Sequence, residues 1–284
     1  MSNTAMLRQI PENRVINDVR MTQGTASAQL TLDRQHPFFF DHPHDHIPGL
    51  LLLEGGHQLA LEMLPDGQWL AAALDASFSK YCLFDDAVVL SGRCRPQGEG
   101  WACDITISQH QEVHAVLHWV FTPLPATSLT YLPLQTGQPV AKAQVNKVRD
   151  ENVMIEAPCV SPQGEIKCHA LPPHPNNWLA DSYGQMHPLY LLEAFMQLQR
   201  SLNHAGSVRL RDILLGVSLR QTLPLHSGSS FLMTSDSGQD KDMGRHFTRG
   251  ADLWAVGQRF ARCEMHSGRV RRARNKMELR EKGV

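Results

Sequence analysis

Two glutamates at matching places are the residues of this sequence best suited to chemistry. Glu54 follows four consecutive leucines and Glu193 follows the apolar run 189–192, so both carboxyls are expected on apolar helices. A carboxyl in such surroundings must find a hydrogen-bond partner or face a cavity, because burying it bare is costly. His42 lies on a loop rich in proline and histidine ahead of Glu54, and an imidazole beside a carboxylic acid can move protons next to a thioester carbonyl.

We therefore predict Glu54, Glu193 and His42 as catalytic residues. The alternative for each glutamate is that it binds nearby backbone N–H groups and only anchors the loop. Substrate-binding roles are predicted for eight neighbours, which are Asp41, His46, Gly49, Gly55, His57, Gln58, His187 and Gln197.

These neighbours have distinct expected roles. Amides near Gly49, at the start of a helix, can polarise a carbonyl. Asp41 and His46 are expected to pin the loop, and His44 is expected to be exposed. The Gly55-Gly56 pair is costly inside a helix, so either the sheet packs too closely there for a Cβ or a ligand passes. Gln58 and Gln197 are expected to hydrogen-bond across the helix pair.

The sequence does not predict a metal site. The alternation His42-x-His44-x-His46 can bind zinc or another transition metal, but two prolines explain the loop without one. The six cysteines are scattered with no CxxC pair, so neither metal nor disulfide roles are expected for them. This cysteine usage favours a reduced cytoplasmic setting.

The elements that position these residues occur twice. His36-Pro37 and Glu54-x-x-x-Gln58 return as His174-Pro175 and Glu193-x-x-x-Gln197, at offsets of 138 and 139 residues. Each half contains a long helix, expected at 48–64 and 188–204, followed by alternating segments typical of antiparallel strands. Ahead of the second helix, a strand is expected at 148–156. A sheet wrapped around one helix is the hotdog pattern, so we predict an α+β double hotdog, a pseudo-dimer within one chain.

The predicted boundaries are a first repeat at 1–125, a linker at 126–145 rich in Pro, Thr and Gly, a second repeat at 146–268 and a basic tail at 269–284. The 284 residues suit about two domains. A net charge of -1 gives no global field favouring nucleic acid, and no membrane span or signal peptide is found. The tail is either solvated or a docking surface for an acidic carrier protein.

The stretch 36–58 resembles the hotdog repeat of the A-factor synthase (AfsA) family, whose signature runs H-x-F-F-D-H-P-x-D-H-V-P-G-M-L-L-x-E-A-x-R-Q. The segment 77–81 resembles the family's strand after the helix, and 187–197 resembles its other repeat, so the two repeats stand here in swapped order. A more distant similarity exists to β-hydroxyacyl-carrier-protein dehydratases. In that comparison His42 matches the dehydratase histidine, and Glu54 and Glu193 match the helix acid.

The resemblance implies transfer of a β-ketoacyl group from an acyl carrier protein, or coenzyme A, to a small hydroxyl acceptor such as dihydroxyacetone phosphate. No cofactor is implied beyond the acyl-pantetheine thioester substrate. The family's helix arginine is His57 in one repeat and Met196 in the other, and neither can fork onto phosphate as arginine does. The phosphorylated acceptor is therefore the part of the implied reaction that this departure questions.

Two alternatives stay open: a 3-hydroxyacyl-thioester dehydratase or thioesterase, and a non-catalytic acyl-ligand-binding protein. One composite site between the two helices is expected rather than two. Association of the pseudo-dimer into a larger homo-oligomer is left open.

Overall fold

The computed structural model describes residues 10, 13–132, 137–182, 184–204, 210–236 and 246–271. In these ranges it contains two α-helices, Gly49–Met63 (α1) and Pro188–His204 (α2). The strands are Ile16–Thr22 (β1), Thr25–Leu30 (β2), Trp69–Phe78 (β3), Val89–Gln97 (β4), Gly100–Gln109 (β5), Glu112–Pro123 (β6), Cys159–Val160 (β7), Glu165–Ala170 (β8), Leu210–Gln221 (β9), Phe231–Asp236 (β10), His246–Ala255 (β11) and Gln258–Arg271 (β12).

The strands form one antiparallel sheet in the order β1-β2-β4-β5-β6-β3-β9-β12-β11-β10-β8-β7. The first six positions belong to the first half of the chain and the last six to the second. Strands β3 and β9 pair across the middle, with Ala73 opposite Arg220 and Ser77 opposite Gly216. The predicted double hotdog is confirmed, because each half contributes six strands and one buried helix.

Helix α1 is buried along most of its length, as its leucine run predicts. Residues 51–61 are all buried, and Glu54 is completely so. A Cβ added at Gly55 would lie 2.7 Å from the Leu30 side chain, and one at Gly56 would collide with the Leu117 side chain. The glycine pair therefore lets the sheet approach the helix, as the first of the two sequence interpretations has it.

The duplication extends to individual hydrogen bonds. Gln58 accepts from Val15 N (2.9 Å) and donates to Asn13 O (3.2 Å) and Glu54 (2.8 Å). Gln197 makes the same three bonds with residues 139 positions later: it accepts from Met154 N and donates to Asn152 O and Glu193. The expectation that these glutamines bond across the helix pair is wrong, because each ties its helix to the start of its own repeat.

The connection between the repeats differs from the expected linker and strand. Residues 142–145 and 150–152 form short 3₁₀ turns, where a strand at 148–156 was expected. The N–H groups of Val148 and Arg149 donate to the Asp41 carboxylate at 2.8 and 3.1 Å, so they do not enter a ladder. We call residues 142–152 the connector.

The cysteine prediction is wrong at one pair. Cys94 and Cys103 face each other on β4 and β5, with Cα atoms 4.2 Å apart, and form a disulfide. The spacing of the cysteines does not indicate this pairing, because it arises only when the hairpin places β4 beside β5. No helix in the described ranges is long and apolar enough to cross a membrane. Of the tail, β12 includes residues 269–271, and 272–284 lie outside the described residues.

Candidate functional site

Among the described residues, the two motif glutamates line two separate cavities. The Glu54 cavity, of about 380 Å³, is lined by Glu54, His57, Gln58, Leu61, Gln68, Trp69, Leu70, Ala71, Leu124, Asp181, Ser182, Gln185, Met186, His187, Pro188 and Gln221. The His42 cavity, of about 220 Å³, is lined by Phe38, Phe39, His42, His44, His46, Ile47, Pro48, Gly49, Leu50, Leu52, Phe78, Lys80, Tyr81, Cys82, Lys147, Glu193, Met196, Arg200, Ile213 and Leu214. The single composite site expected from the sequence is therefore divided between two places.

In the Glu54 cavity the carboxylate of α1 meets two imidazoles. Glu54 Oε2 lies 3.4 Å from His187 Nε2 and 4.0 Å from His57 Nδ1, and the two rings are perpendicular with centroids 5.0 Å apart. All three side chains are buried. A carboxylate beside two imidazoles out of water is an arrangement able to accept and return a proton.

The tautomer of His187 bears on whether this group could hold a metal ion. One nitrogen or oxygen each from Glu54, His57 and His187 lies within 4.8 Å of the others, a spacing that admits a cation. His187 Nδ1, however, accepts the N–H of Leu189 at 3.2 Å, which assigns the ring proton to Nε2, the nitrogen facing Glu54. That arrangement suits an imidazole donating towards a carboxylate better than a metal ligand, which would need Nε2 unprotonated.

In the His42 cavity the carboxylate of α2 has two cations as partners. Lys147 Nζ, from the connector, and Arg200 Nη1, from the same helix, each lie 2.9 Å from Glu193 Oε1. Gln197 donates to that oxygen at 3.1 Å. Burial by itself raises the pKa of Glu193, but Arg200 and Lys147 outweigh it and lower the pKa to about 2. Glu193 is therefore a permanent anion near neutral pH.

Two histidines of this cavity, His42 and His44, have lowered pKa values. Burial, reinforced by Lys147 and Arg200, lowers the pKa of His42, and burial with the neighbouring His42 and His46 lowers the pKa of His44 to about 4. His42 Nε2 lies 2.9 Å from Asn146 Nδ2, and its Nδ1 is buried with no hydrogen-bond partner among the described residues. Because an amide NH₂ only donates, Asn146 bonds the unprotonated Nε2 of the neutral His42 ring, and the ring proton lies on Nδ1. Nε2 is then the nitrogen that can act as a general base once a hydroxyl replaces Asn146 there.

The loop residues hold this arrangement in place. Asp41 binds two connector amides, as described above, and so fixes the connector against the loop that carries His42. His46 bonds Asp45 at 2.6 Å, and its ring lies against Tyr81 with centroids 4.3 Å apart. His44, expected at the surface, is half-buried against His42, with ring centroids 4.2 Å apart.

The predicted site residues are thus distributed unevenly. The His42 cavity is lined by four of them, His42, His46, Gly49 and Glu193. The Glu54 cavity is lined by another four, Glu54, His57, Gln58 and His187. Asp41 and Gln197 support the His42 cavity from behind through hydrogen bonds. Gly55 lines neither cavity, because it faces the apolar side chains of the sheet.

Three residues that contact His42 or Glu193 were not predicted from the sequence. Arg200 lies seven residues after Glu193, on the same helical face, so helix periodicity could have found it. Lys147 and Asn146 lie on the connector, and no local pattern links them to His42 or Glu193. Asn146 adopts a left-handed conformation (φ 55°), which turns the chain at this point.

The fold, with two cavities that are each lined by residues of both repeats, is that of a double hotdog protein. The chain superposes on the dehydratase domain from the CurJ module of curacin polyketide synthase with a TM-score of 0.61 at 16% identity, covering 90% of this chain and 97% of that one. It also superposes on an acyl-CoA thioesterase II from Mycobacterium marinum, with a TM-score of 0.55 at 12% identity over 90% and 97% of the two chains. At these identities the likeness concerns the fold.

The sequence of the first repeat carries the similarity to known proteins. Residues 6–124 match the model of the A-factor biosynthesis hotdog domain, so the resemblance of the first repeat to that family is confirmed. The chain is 32% identical over 91 residues to a 2-oxo-3-(phosphooxy)propyl 3-oxoalkanoate synthase of Streptomyces virginiae, and 29% identical over 84 residues to one of Streptomyces coelicolor. These matches cover 32% and 30% of this chain, and 31% and 27% of the relatives, so they span less than a third of either relative's length.

Proposed function

We propose that this protein is an acyl-thioester-processing enzyme of the A-factor synthase type. It transfers a β-ketoacyl group from an acyl carrier protein, or from coenzyme A, to the hydroxyl of a small acceptor. One observation carries the proposal: His42, Glu193 and the first residues of α1 line a single cavity in a chain whose first repeat matches the A-factor biosynthesis hotdog domain. The names of the matched synthases support the same reaction class.

The transfer needs a base and a group that receives negative charge. His42 takes the proton of the acceptor hydroxyl as its oxygen attacks the thioester carbonyl; the C–O bond forms, the C–S bond breaks, and the departing thiolate receives the proton from His42. The first N–H groups of a helix lack intrahelical acceptors, and Gly49 and Leu50 at the start of α1 both line the cavity. Their N–H groups donate hydrogen bonds to the carbonyl oxygen as negative charge develops on it.

The state of Glu193 favours transfer over dehydration at this cavity. A dehydratase needs a carboxylic acid that donates a proton to the leaving hydroxyl. Glu193, with a pKa of about 2 and two cations at 2.9 Å, has no proton to give near neutral pH. It acts instead as the anchor that positions Lys147 and Arg200.

A second candidate function belongs to the Glu54 cavity. Glu54 and His187 form the acid–base pair that a 3-hydroxyacyl-thioester dehydratase or a thioesterase requires. Separate Glu54→Gln and Glu193→Gln variants distinguish the two candidates. If the transfer proposal is right, Glu193→Gln reduces turnover more than Glu54→Gln does. A loss of turnover confined to Glu54→Gln would instead assign the reaction to the Glu54 cavity. Full activity in both variants refutes a carboxylate role.

The direct test incubates the protein with 3-oxoacyl and 3-hydroxyacyl carrier-protein thioesters, with and without dihydroxyacetone phosphate, and identifies products by mass spectrometry. We expect an acylated acceptor that forms only when acceptor is present. Dehydration or hydrolysis without acceptor supports the second candidate instead. Recovery of every thioester unchanged contradicts both and favours the acyl-ligand-binding alternative.

His42→Gln tests the base. Removing a general base typically costs about 10²–10⁴-fold in rate, so we expect kcat to fall into that range while the protein remains folded. His118→Gln on β6 is the matched control, because that histidine is paired with Asp104 away from both cavities. Equal rates in the two variants would exclude His42 as the base.

A further inference from the structure

We propose that Asn146 masks the base nitrogen of His42 from water until an acceptor displaces it, so that the acyl thioester is transferred rather than hydrolysed. The inference rests on the proposed function and deepens it, because it assigns the choice between acceptor and water to a positioning residue. The Asn146 amide nitrogen lies 2.9 Å from His42 Nε2. Because that nitrogen only donates, it occupies the lone pair that a hydroxyl needs.

The His42 ring offers water no second basic nitrogen. Its Nδ1 carries the ring proton and is buried. Asn146 is exposed, so the group that covers Nε2 is itself in contact with solvent. Loss of this amide would therefore open the base nitrogen to water.

The connector holds the Asn146 amide at its place. The side chain of Val145, immediately before it, is fully buried, and Lys147, immediately after it, pairs with Glu193 at 2.9 Å. The Lys147 N–H donates to Lys142 O at 2.9 Å and closes the turn in which Asn146 has its left-handed conformation. A group tethered in this way competes with free water at a high effective concentration.

An acceptor is better able than a water molecule to displace the amide. Both offer Nε2 one O–H group in exchange for one N–H group, so the exchange itself gains little in either case. An acceptor makes further contacts in the cavity, and their binding energy can offset the loss of the amide hydrogen bond. A single water molecule has no such contacts. Attack by the acceptor is therefore favoured over attack by water.

Hydrolysis would use the same base. His42 Nε2 would take a proton from water as the water oxygen attacks the thioester carbonyl; the C–O bond forms, the C–S bond breaks, and the departing thiolate receives the proton. Without the amide at Nε2, water can take the place of the acceptor hydroxyl in this step. The products are then the free acid and the thiol.

Asn146→Gly tests the masking without any substrate. Glycine adopts a φ of 55° without strain, so the turn is kept while the amide is lost. Diethyl pyrocarbonate modifies unprotonated imidazole nitrogens, and peptide mass spectrometry follows its reaction with His42. Near neutral pH we expect modification of His42 to be about two- to tenfold faster in Asn146→Gly than in wild type, the range expected for one neutral hydrogen bond.

The matched control is Gln111→Gly. Gln111 also has a left-handed conformation (φ 62°) and is exposed in the turn between β5 and β6. The same change of residue there should leave the rate of His42 modification at the wild-type value.

Asn146→Asp separates an effect on the base from an effect on the turn. Aspartate tolerates the left-handed conformation as asparagine does, but its carboxylate accepts a proton from Nε2 and favours the charged ring. We expect the pKa of His42, read from the pH dependence of its modification, to rise more in Asn146→Asp than in Asn146→Gly. A residue that only shaped the turn would change this pKa in neither variant.

Turnover tests the consequence for specificity. With a 3-oxoacyl carrier-protein thioester and no acceptor, release of the thiol should be about two- to tenfold faster in Asn146→Gly than in wild type. With acceptor present, the ratio of transfer to hydrolysis should fall in this variant. Gln111→Gly should keep the wild-type ratio.

The outcomes separate the inference from the proposed function. Equal rates of His42 modification in wild type and Asn146→Gly overturn the inference, whatever reaction the enzyme catalyses. Faster modification without faster thiol release, while transfer proceeds, overturns the role of Asn146 in specificity. Faster modification with no thioester turnover in any variant supports the masking of Nε2 and contradicts only the proposed function.

Discussion

The two motif glutamates are chemically different because of the charges beside them. Glu193 has a lysine and an arginine at 2.9 Å and remains ionised, whereas Glu54 has imidazoles at 3.4 and 4.0 Å. Equivalent residues of a duplicated motif can thus have differently charged neighbours while keeping the same glutamine partner. The motif alone specifies the position of a carboxyl; its neighbours decide its role.

Acid should weaken the folded state through Glu193. Its pKa is about 2 in the fold against an ordinary value of 4.5, so its contribution is present above pH 4.5 and is lost as the pH falls towards 2. Urea unfolding of wild type and of Glu193→Gln, followed from pH 6 to pH 2.5, should show the stability difference shrinking below pH 4.5. A difference that is constant across this range would contradict the ion-paired state.

His44 should affect the stability of the fold at a higher pH than Glu193 does. Its pKa of about 4 lies below the ordinary 6.5, so between these values the unfolded chain binds a proton that the folded chain does not. Stability therefore falls as the pH drops from 6.5 to 4. His44→Gln should lose less stability over this interval than wild type in urea titrations.

At the scale of elements, the approach of the sheet to α1 depends on glycine. A Cβ at position 56 meets the Leu117 side chain, and such overpacking costs about 1–3 kcal/mol, partly offset by the roughly 1 kcal/mol of helix propensity that alanine adds. Gly56→Ala should therefore lower the free energy of unfolding by up to about 2 kcal/mol. Gly49→Ala, whose Cβ would lie 3.6 Å from Phe78, is the matched control for thermal and urea unfolding.

The elements were predictable where the signal is local. The leucine run and Pro48 define α1 to within a residue at each end, and the alternating segments indicate most strands of both repeats. The segment 148–156 does not form the expected strand, because its first two amides bind Asp41, more than a hundred positions earlier, and residues 150–152 form a 3₁₀ turn. The glutamates and His42 could be predicted because they stand in local motifs. Lys147 could not, because no local pattern links the connector to His42 or Glu193.

At the scale of the whole molecule, pairing between β3 and β9 joins the repeats into one sheet. A Cβ at Gly216 would lie 2.6 Å from the backbone oxygen of Ala76, and backbone cannot move aside as a side chain can. Gly216→Ala should therefore lower the melting temperature and broaden the single unfolding transition expected of a continuous sheet. Gly268→Ala on the adjacent β12, with ordinary 3.4 Å contacts, should leave the transition close to wild type.

The connector has a consequence for symmetry. Two identical hotdog subunits would present two identical interface sites, and any substitution would alter both at once. Here one polypeptide joins the repeats. In the connector, Lys147 lines the His42 cavity and Asn146 bonds His42, and neither is among the described residues that line the Glu54 cavity. Fusion of the two copies thus frees one interface site to change while its twin is retained, so one polypeptide can evolve two unlike pockets from one ancestral surface.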